Sequence, residues 1–326
     1  MAERPSKCHP LVVFGSVNID MVARLHTLPV PGETLHAQGA HLGLGGKGAN
    51  QAVAVARLGA PVTLAGRMGD DMFAGFAADA LRRFGVSDSH LFRAPAQMTG
   101  LAMICTDAAG ENTIVVAGGA NLAMDDTDVA RLAACLTPDS IVLMQCEIPL
   151  PVLLAAARRA AALGATLILD PAPVPPGGLP DEAFRLATLM TPNETETERL
   201  TGIRPHDPDS ARRAAHALHS RGLRQAIVKL GAQGVFFSDD TRQDDTRQNG
   251  PRQGFVRPFR VTAIDSVAAG DCFNGGLAVA LARGQDLAAA TRFAAACGAL
   301  ATTRKGASDA APTLAEVESL LAAQPE

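Results

Sequence analysis

The chain has 326 residues, 47% of them hydrophobic, and 29 Lys and Arg against 33 Asp and Glu for a formal net charge of −4. It can bury a large core and lacks the basic stripe that nucleic acid demands, while 12 Phe with no Trp or Tyr give no base-stacking platform. No apolar run is long enough for a bilayer, the start from Met1 to Pro10 is too polar for a signal, and six scattered cysteines contain no C-x-x-C pair; these features point to a reduced, cytoplasmic protein without membrane partner, disulfide framework or zinc site.

In chain order, Leu11 to Phe14 reads as a buried strand ending at Gly15. Asn18 and Asp20 follow directly, at the kind of strand end where open α/β sheets bind ligands. Met21 to Leu44 carries Pro29, Pro31 and Gly32 and alternates loosely from Thr34 to Leu42, so it reads as strands outside the main sheet. The run G-L-G-G-K-G-A-N from Gly43 to Asn50 then enters a helix over Gln51 to Leu58. Its glycines formally match G-x-G-x-x-G, but a long segment separates them from the first strand and no acidic residue closes a second strand at the required distance. A dinucleotide fold is therefore rejected. A Walker loop fails as well, because Lys47 is followed by Gly48 and Ala49. What remains is a glycine turn with one Lys and one Asn at a helix start, either purely structural or holding a polyhydroxylated or anionic ligand close to backbone.

Val62 to Ala65 reads as a strand, and Asp71 to Phe84 as a helix stopped by Gly85. Thr99 to Thr106 and Asn112 to Ala117 flank the turn Asp107 to Glu111 as a hairpin. Together with the earlier extra-sheet segment it predicts a small β lid, from about 21–44 and 98–118. Ile141 to Gln145 is a strand leading to Cys146 and Glu147, Val152 to Leu163 an Ala-rich helix, and Thr166 to Leu169 a strand delivering Asp170 to a Pro-rich loop. Such alternation predicts a mostly parallel sheet covered on both faces, within one domain over 1–326.

Asn193 and Glu196 sit three apart at a helix start in M-T-P-N-E-T-E-T-E. They either form an acidic first turn favoured by the helix dipole or face a hydrated Mg²⁺ with phosphates. Ala226 to Leu230 is another buried strand, and Gly231 to Gly234 a tight turn on which a nucleotide could lie flat. Asp239 to Gln248 holds the pentapeptide D-D-T-R-Q twice, a solvated extension without catalytic part, and Phe255 to Ile264 returns to the sheet. Thr262 to Gly276 then joins small residues, a carboxylate and a helix over Cys272 to Arg283. Bare backbone at Ala268, Ala269 and Gly270 would present N–H groups to an anion, and Asp271 would take a proton from a hydroxyl attacking bound phosphate, unless it is only a helix cap. Cys272 has no evident partner base and is read as a buried thiol. Leu287 to Thr303 and Leu314 to Leu321 are closing helices.

Four blocks, G-S-V-N-I-D at Gly15, G-G-K-G-A-N-Q at Gly45, T-P-N-E-T-E at Thr191 and D-S-V-A-A-G-D-C-F-N-G at Asp265, resemble the ribokinase-like sugar kinases, also called the PfkB family, with matching spacing over nearly the whole chain. The resemblance implies a three-layer α/β/α fold with a small β-sheet lid that clasps the lid of a second subunit in a homodimer. It also implies transfer of the ATP γ-phosphate to the 5-hydroxyl of ribose. Carried over by position, Asn18, Ile19, Asp20, Gly46, Lys47, Gly48, Ala49, Asn50 and Glu147 would meet the sugar, and Asp271 would be the base. The backbone from Ala268 to Asp271 would be the anion hole, with Asn193 and Glu196 linked to Mg²⁺. Lys229, Leu230, Gly231, Ala232, Gln233 and Gly234 would hold the nucleotide. Asp265 with oxygens of Val267, Ala301, Arg304 and Gly306 would hold a potassium ion. The chain departs from the pattern at Lys229, where Thr is frequent, at Ala295, where an adenine-contacting His or Asn is frequent, and at Ala310, where a Ser oxygen often completes the cation loop. Ser266 and Cys272 replace threonines of the signature. Deoxyribose, a nucleoside or a ketohexose are the alternative substrates, and a sugar-binding regulator without catalysis is the alternative class.

Overall fold

The computed structural model describes residues 9–109, 111–240 and 252–325. Beyond its first two residues, the D-D-T-R-Q repeat lies outside the described residues. The first half runs β1 (Leu11–Phe14), β2 (Asn18–Arg24), β3 (Gly39–Gly45), α1 (Lys47–Arg57), β4 (Val62–Gly69), α2 (Met72–Arg83), β5 (Ser87–Ala94), β6 (Gly100–Thr106), β7 (Asn112–Ala117), α3 (Asp126–Cys135), β8 (Ile141–Gln145) and α4 (Leu150–Leu163). The second half runs β9 (Thr166–Asp170), α5 (Asp181–Leu186), β10 (Leu189–Met190), α6 (Glu194–Thr201), α7 (Pro208–Ser220), β11 (Gln225–Lys229), β12 (Val235–Asp239), β13 (Arg252–Val256), α8 (Ala269–Ala282), α9 (Leu287–Ala301) and α10 (Leu314–Ala323).

Nine strands form one sheet in the order β13-β12-β11-β10-β9-β8-β1-β4-β5. From β11 to β5 every pairing is parallel, and only the two pairings at one edge, β11 with β12 and β12 with β13, are antiparallel. Strand residues point alternately to two faces, and both faces are dry. Leu11 and Val13 join a core with residues of α1, α2, α8 and α9, whereas Val12 and Phe14 join one with residues of α3, α4, α5 and α7. This is the expected α/β/α layering. It explains why β1 and β8 are continuous apolar runs rather than alternating ones.

The second sheet, β3-β2-β6-β7, contains the expected hairpin as β6 and β7. Two expectations shift. Asn18 and Asp20 do not hang from the end of β1; they are themselves residues of β2, paired with Gly45 and Gly43. From the segment Met21 to Leu44, the strand that pairs with β2 is Gly39–Gly45, and 34–38 carries no strand. In the segment Phe255 to Ile264, only Phe255 and Val256 belong to the sheet, and the rest is irregular chain leading to α8. Among the described residues no helix is long and apolar enough to cross a membrane.

Glycines let α8 reach the site. A Cβ on Gly275 would come 2.6 Å from Ala54 Cβ, and one on Gly276 would come 2.6 Å from Cys297 Sγ. Only bare backbone allows α8 to lie this close to α1 on one side and α9 on the other.

Candidate active site

Two helix starts and three parallel strand ends converge at the carboxyl edge of the large sheet. The start of α1 is pressed against the β1–β2 turn, since a Cβ on Gly48 would lie 2.6 Å from Ser16 N. Gly46 takes a φ of 87°, which turns the chain from β3 into α1. That turn delivers Lys47, Asn50 and Gln51 to the face of α8. Helix α8 begins at Ala269, earlier than its composition suggests, so Asp271 lies within the first turn and does not cap it. The N-cap position is Ala268, left-handed at φ 57° and without a side-chain hydrogen bond. A non-glycine residue in that region costs about 1 kcal/mol or more. Ala269 N donates to Ser266 O, and the N–H groups of Gly270 and Asp271 extend beyond it as an anion-binding start.

Asp271 is 4% exposed. Its Oδ2 accepts from Asn50 Nδ2 at 3.1 Å and its Oδ1 from Gln51 Nε2 at 3.1 Å. The same Gln51 Nε2 donates to Asp170 Oδ2 at 3.0 Å, tying two buried carboxylates together. Burial pushes Asp271 up to about 6; Asp170 adds to the rise, while Lys47 and the two amides oppose it. Asp20 is also raised to about 6, by burial and then by the charges of Glu147 and Asp271. Burial works against the Lys47 ammonium, yet Asp271, Asp170, Glu147 and Glu196 outweigh it and hold the charge firmly in place. Glu147 Oε2 accepts from Ser16 Oγ at 2.5 Å and from Lys47 N at 3.0 Å, fixing it beside the glycine turn. Asn18 Oδ1 accepts from Asn121 Nδ2 at 2.7 Å. Asn18, Asp20, Lys47, Asn50, Glu147 and Asp271, far apart in the chain, thus share one neighbourhood.

Across Asp170 lies a second group. Asn193 and Glu196 form a reciprocal capping box at the start of α6, with Asn193 N donating to Glu196 Oε2 and Glu196 N to Asn193 Oδ1, each at 2.9 Å. Burial, with Asp170, raises the Glu196 carboxyl against the pull of Lys229. Lys229 closes β11, and its Nζ is 4.0 Å from Asp170 Oδ1 and 3.5 Å from where a Cβ on Gly270 would stand. The ammonium therefore hangs over the start of α8. Gly231 and Gly234, at φ 52° and 116°, shape the turn that follows.

The third group is the loop around Asp265, whose Oδ1 accepts from Val267 N at 3.0 Å and Oδ2 from Gly306 N at 3.1 Å. Ala301 O accepts from Arg304 N, and the Arg304 guanidinium is paired with Glu316. A cleft of about 630 Å³ separates this loop from the small sheet, with Asp20, His41, Gly43, Asp265, Val267 and Gly306 in its lining. A larger cavity of about 1020 Å³ between Phe237, Phe255, Phe259 and Arg292 contains none of the predicted sugar or phosphate residues.

Five participants have no role in the sequence reading: Ser16 and Gln51, which stand inside two of the quoted blocks, Gln145 at the end of a named strand, and Asn121 and Ser308. Gln51 alone carries a readable signal, a polar residue in a helix otherwise Ala- and Val-rich and wholly buried. The others are ordinary polar residues until the fold brings them in.

The pfkB family carbohydrate kinase profile matches residues 9–314. This chain belongs to that family. Within this family, the ribokinase of Haemophilus influenzae is 39% identical over 306 residues, 94% of this chain and 96% of that protein. Among solved structures, the ribokinase of Thermotoga maritima superposes with a TM-score of 0.84 at 33% identity, covering 96% of this chain and 99% of the other. The Arabidopsis thaliana ribokinase complexed with ribose and ATP gives a TM-score of 0.82 at 33% identity, covering 96% and 98%. The chain is accordingly a carbohydrate kinase, a phosphotransferase with an alcohol group as acceptor.

Proposed function

We propose that this enzyme transfers the γ-phosphoryl group of MgATP to the 5-hydroxyl of D-ribose, in the cytoplasm, through one domain with the small sheet as its lid. The observation that carries this reading is the meeting of a buried, bracketed carboxylate with a helix start. Asp271 lies within the first turn of α8, next to the N–H groups offered to an anion, with the Lys47 charge held beside it. Phosphoryl transfer asks the protein mainly for positioning and charge stabilisation.

Asn18, Asp20, Lys47 and Glu147 would bind the sugar hydroxyls, helped by backbone from Ile19, Gly46, Gly48 and Ala49. Asn50 would act next to them, although its amide is already engaged with Asp271 and Ser308. Above about pH 6 Asp271 is ionised and takes the proton of the attacking hydroxyl. The N–H groups of Gly270 and Asp271, with Lys229 over them, would face the transferred phosphoryl group. The turn from Leu230 through Ala232 and Gln233 to Gly234 would carry the rest of the nucleotide.

Among the described residues no group of three or more His, Cys, Asp or Glu side chains could cage a metal. That suits Mg²⁺ arriving with the nucleotide, which keeps phosphate and water ligands and asks for few from protein. Glu196, held by Asn193, fits as its outer partner. The loop at Asp265, with the carbonyl oxygens of Val267, Ala301, Arg304 and Gly306, would supply an all-oxygen donor set of the kind that suits K⁺, with the Asp265 carboxylate held in the loop by Val267 N and Gly306 N. Bound there, K⁺ would supply a fixed positive charge that organises the turn before α8.

On the small sheet Leu42, Met21, Met103 and Val115 stand in register as an exposed apolar row. Such a row supports a homodimer joined through the lids.

A coupled ADP-release assay with ATP, Mg²⁺ and a panel of ribose, deoxyribose, fructose and nucleosides, with and without K⁺, tests the reading. Ribose should give the highest kcat/KM. Preference for another sugar changes the substrate, and sugar binding without ADP release would turn the protein into a regulator.

A further inference from the structure

Both oxygens of Asp271 accept from side-chain amides, and an amide can turn over to present either its oxygen or its nitrogen. Something must decide which end faces the carboxylate. For Asn50 the decision falls to Ser308, whose Oγ lies 2.7 Å from Asn50 Oδ1 and 3.3 Å from Leu44 O and gives its one proton to the nearer oxygen, leaving Nδ2 to donate to Asp271 Oδ2. For Gln51 the two carboxylates, which only accept, take Nε2 through Asp271 Oδ1 and Asp170 Oδ2, and Gln145 Nε2 holds the opposite end by donating to Gln51 Oε1 at 2.7 Å, its own Oε1 having no partner among the described residues. All five side chains are less than a tenth exposed, so water cannot easily substitute for a lost partner.

We propose that Ser308 and Gln145 are positioning residues for the base: they lock the Asn50 and Gln51 amides nitrogen-first onto Asp271, so that its carboxylate keeps one orientation and stays ionised. An amide turned the other way would set its oxygen against a carboxylate oxygen. Each carboxylate oxygen has a second lone pair, so the bracket leaves Asp271 able to accept a proton. Ser308 also lies two residues past Gly306, whose N–H bonds Asp265. The loop that shapes the approach to α8 and the base itself are therefore joined through the short backbone segment from Gly306 to Ser308 and the Ser308–Asn50 contact. A second path of this kind runs through the end of β8, where Gln145 pairs with Asp170 in register.

The inference rests on Asp271 acting as the base of a sugar kinase, and wild-type turnover in the same assay checks that separately. If the wild-type chain phosphorylates no sugar, the kinase reading fails. If it does, Ser308→Ala should lower kcat about tenfold, the loss of one buried hydrogen bond at the transition state, with KM for sugar and ATP changed less than about threefold. A hydroxyl-bearing Ser308→Thr should recover most of the loss. The acid limb of the kcat profile should move to higher pH by about half a unit or more in Ser308→Ala and in Gln145→Met, because the amide that donates to the charged form is no longer held nitrogen-first and that hydrogen bond weakens. The other groups facing Asp271, namely Lys47 from α1, Asp170 from β9, Asp20 from β2 and the neighbouring Cys272 thiol, are unchanged in these variants. Thermal unfolding identifies any variant that has lost its fold, and Ser308→Thr then supplies the folded comparison. An unmoved acid limb with wild-type kcat, or an effect confined to the KM for sugar, would overturn the proposal.

Discussion

Helices α6 and α8 both begin beside the same cleft with an acidic residue in the first turn, and they treat it in opposite ways. In α6 the acid is spent locally, since Glu196 and Asn193 bond each other across three residues and close the helix start. In α8 the acid is drawn aside by partners 220 and 221 positions away, and no side chain caps the helix. A carboxylate that caps its own helix blocks the N–H groups there; one held by other elements leaves them to a ligand. The contrast also appears in energy. The capping box stabilises α6 by about 1 kcal/mol, whereas α8 carries the cost of a left-handed Ala268.

Breaking the α8 arrangement should cost most. Asp271→Asn is expected to lower kcat by about 10²–10⁴, measured as ADP release at saturating sugar, and near-wild-type turnover would remove Asp271 from its role. Next comes pH. Asp271 and Asp20 are both raised to about 6, so kcat/KM should fall below about pH 6 as these carboxylates take up protons. Because both carboxylates must be ionised, the fall becomes steeper than one decade per pH unit below both apparent pKa values, and Asp20→Asn should return the slope to one. Glu196→Gln sharpens the comparison from the α6 side, because glutamine keeps a capping-box side chain while removing the charge. Thermal stability should hold and kcat should drop about tenfold, as for a lost charge contact to the transition state; unchanged kcat would make Glu196 a cap and nothing more. The smallest effect is expected from Asn193→Ala, a loss of about 1 kcal/mol in stability, read by denaturant unfolding.

Much of this was legible beforehand where the chemistry is local. Apolar runs such as Leu11 to Phe14 and Ile141 to Gln145 are strands at their expected positions, and the glycine turn at Gly46 and the Asp271 block carry the family resemblance. Edges were less legible. Strand β5, with exposed polar residues along its length, has no apolar run to announce it, and α7 hides its buried stripe of alanines among charges. The bracket on Asp271 was beyond reach, because Ser308 and Gln145 acquire meaning only through contacts with α1 from 258 and 94 positions away. The assignment of Asn18 and Asp20 to the end of β1 erred for a related reason. Three residues suffice for the chain to leave one sheet and enter another, and no composition marks the change.

Strand β2 binds two jobs into one rod. Its even member Asp20 looks into the cleft, and its odd neighbour Met21 looks out along the apolar row. A partner seated on the outer face would act on the inner one through the backbone that Asp20 and Met21 share. A screen for weakened sugar affinity in this enzyme should thus return substitutions at Met21, Leu42 and Met103 that never touch a sugar.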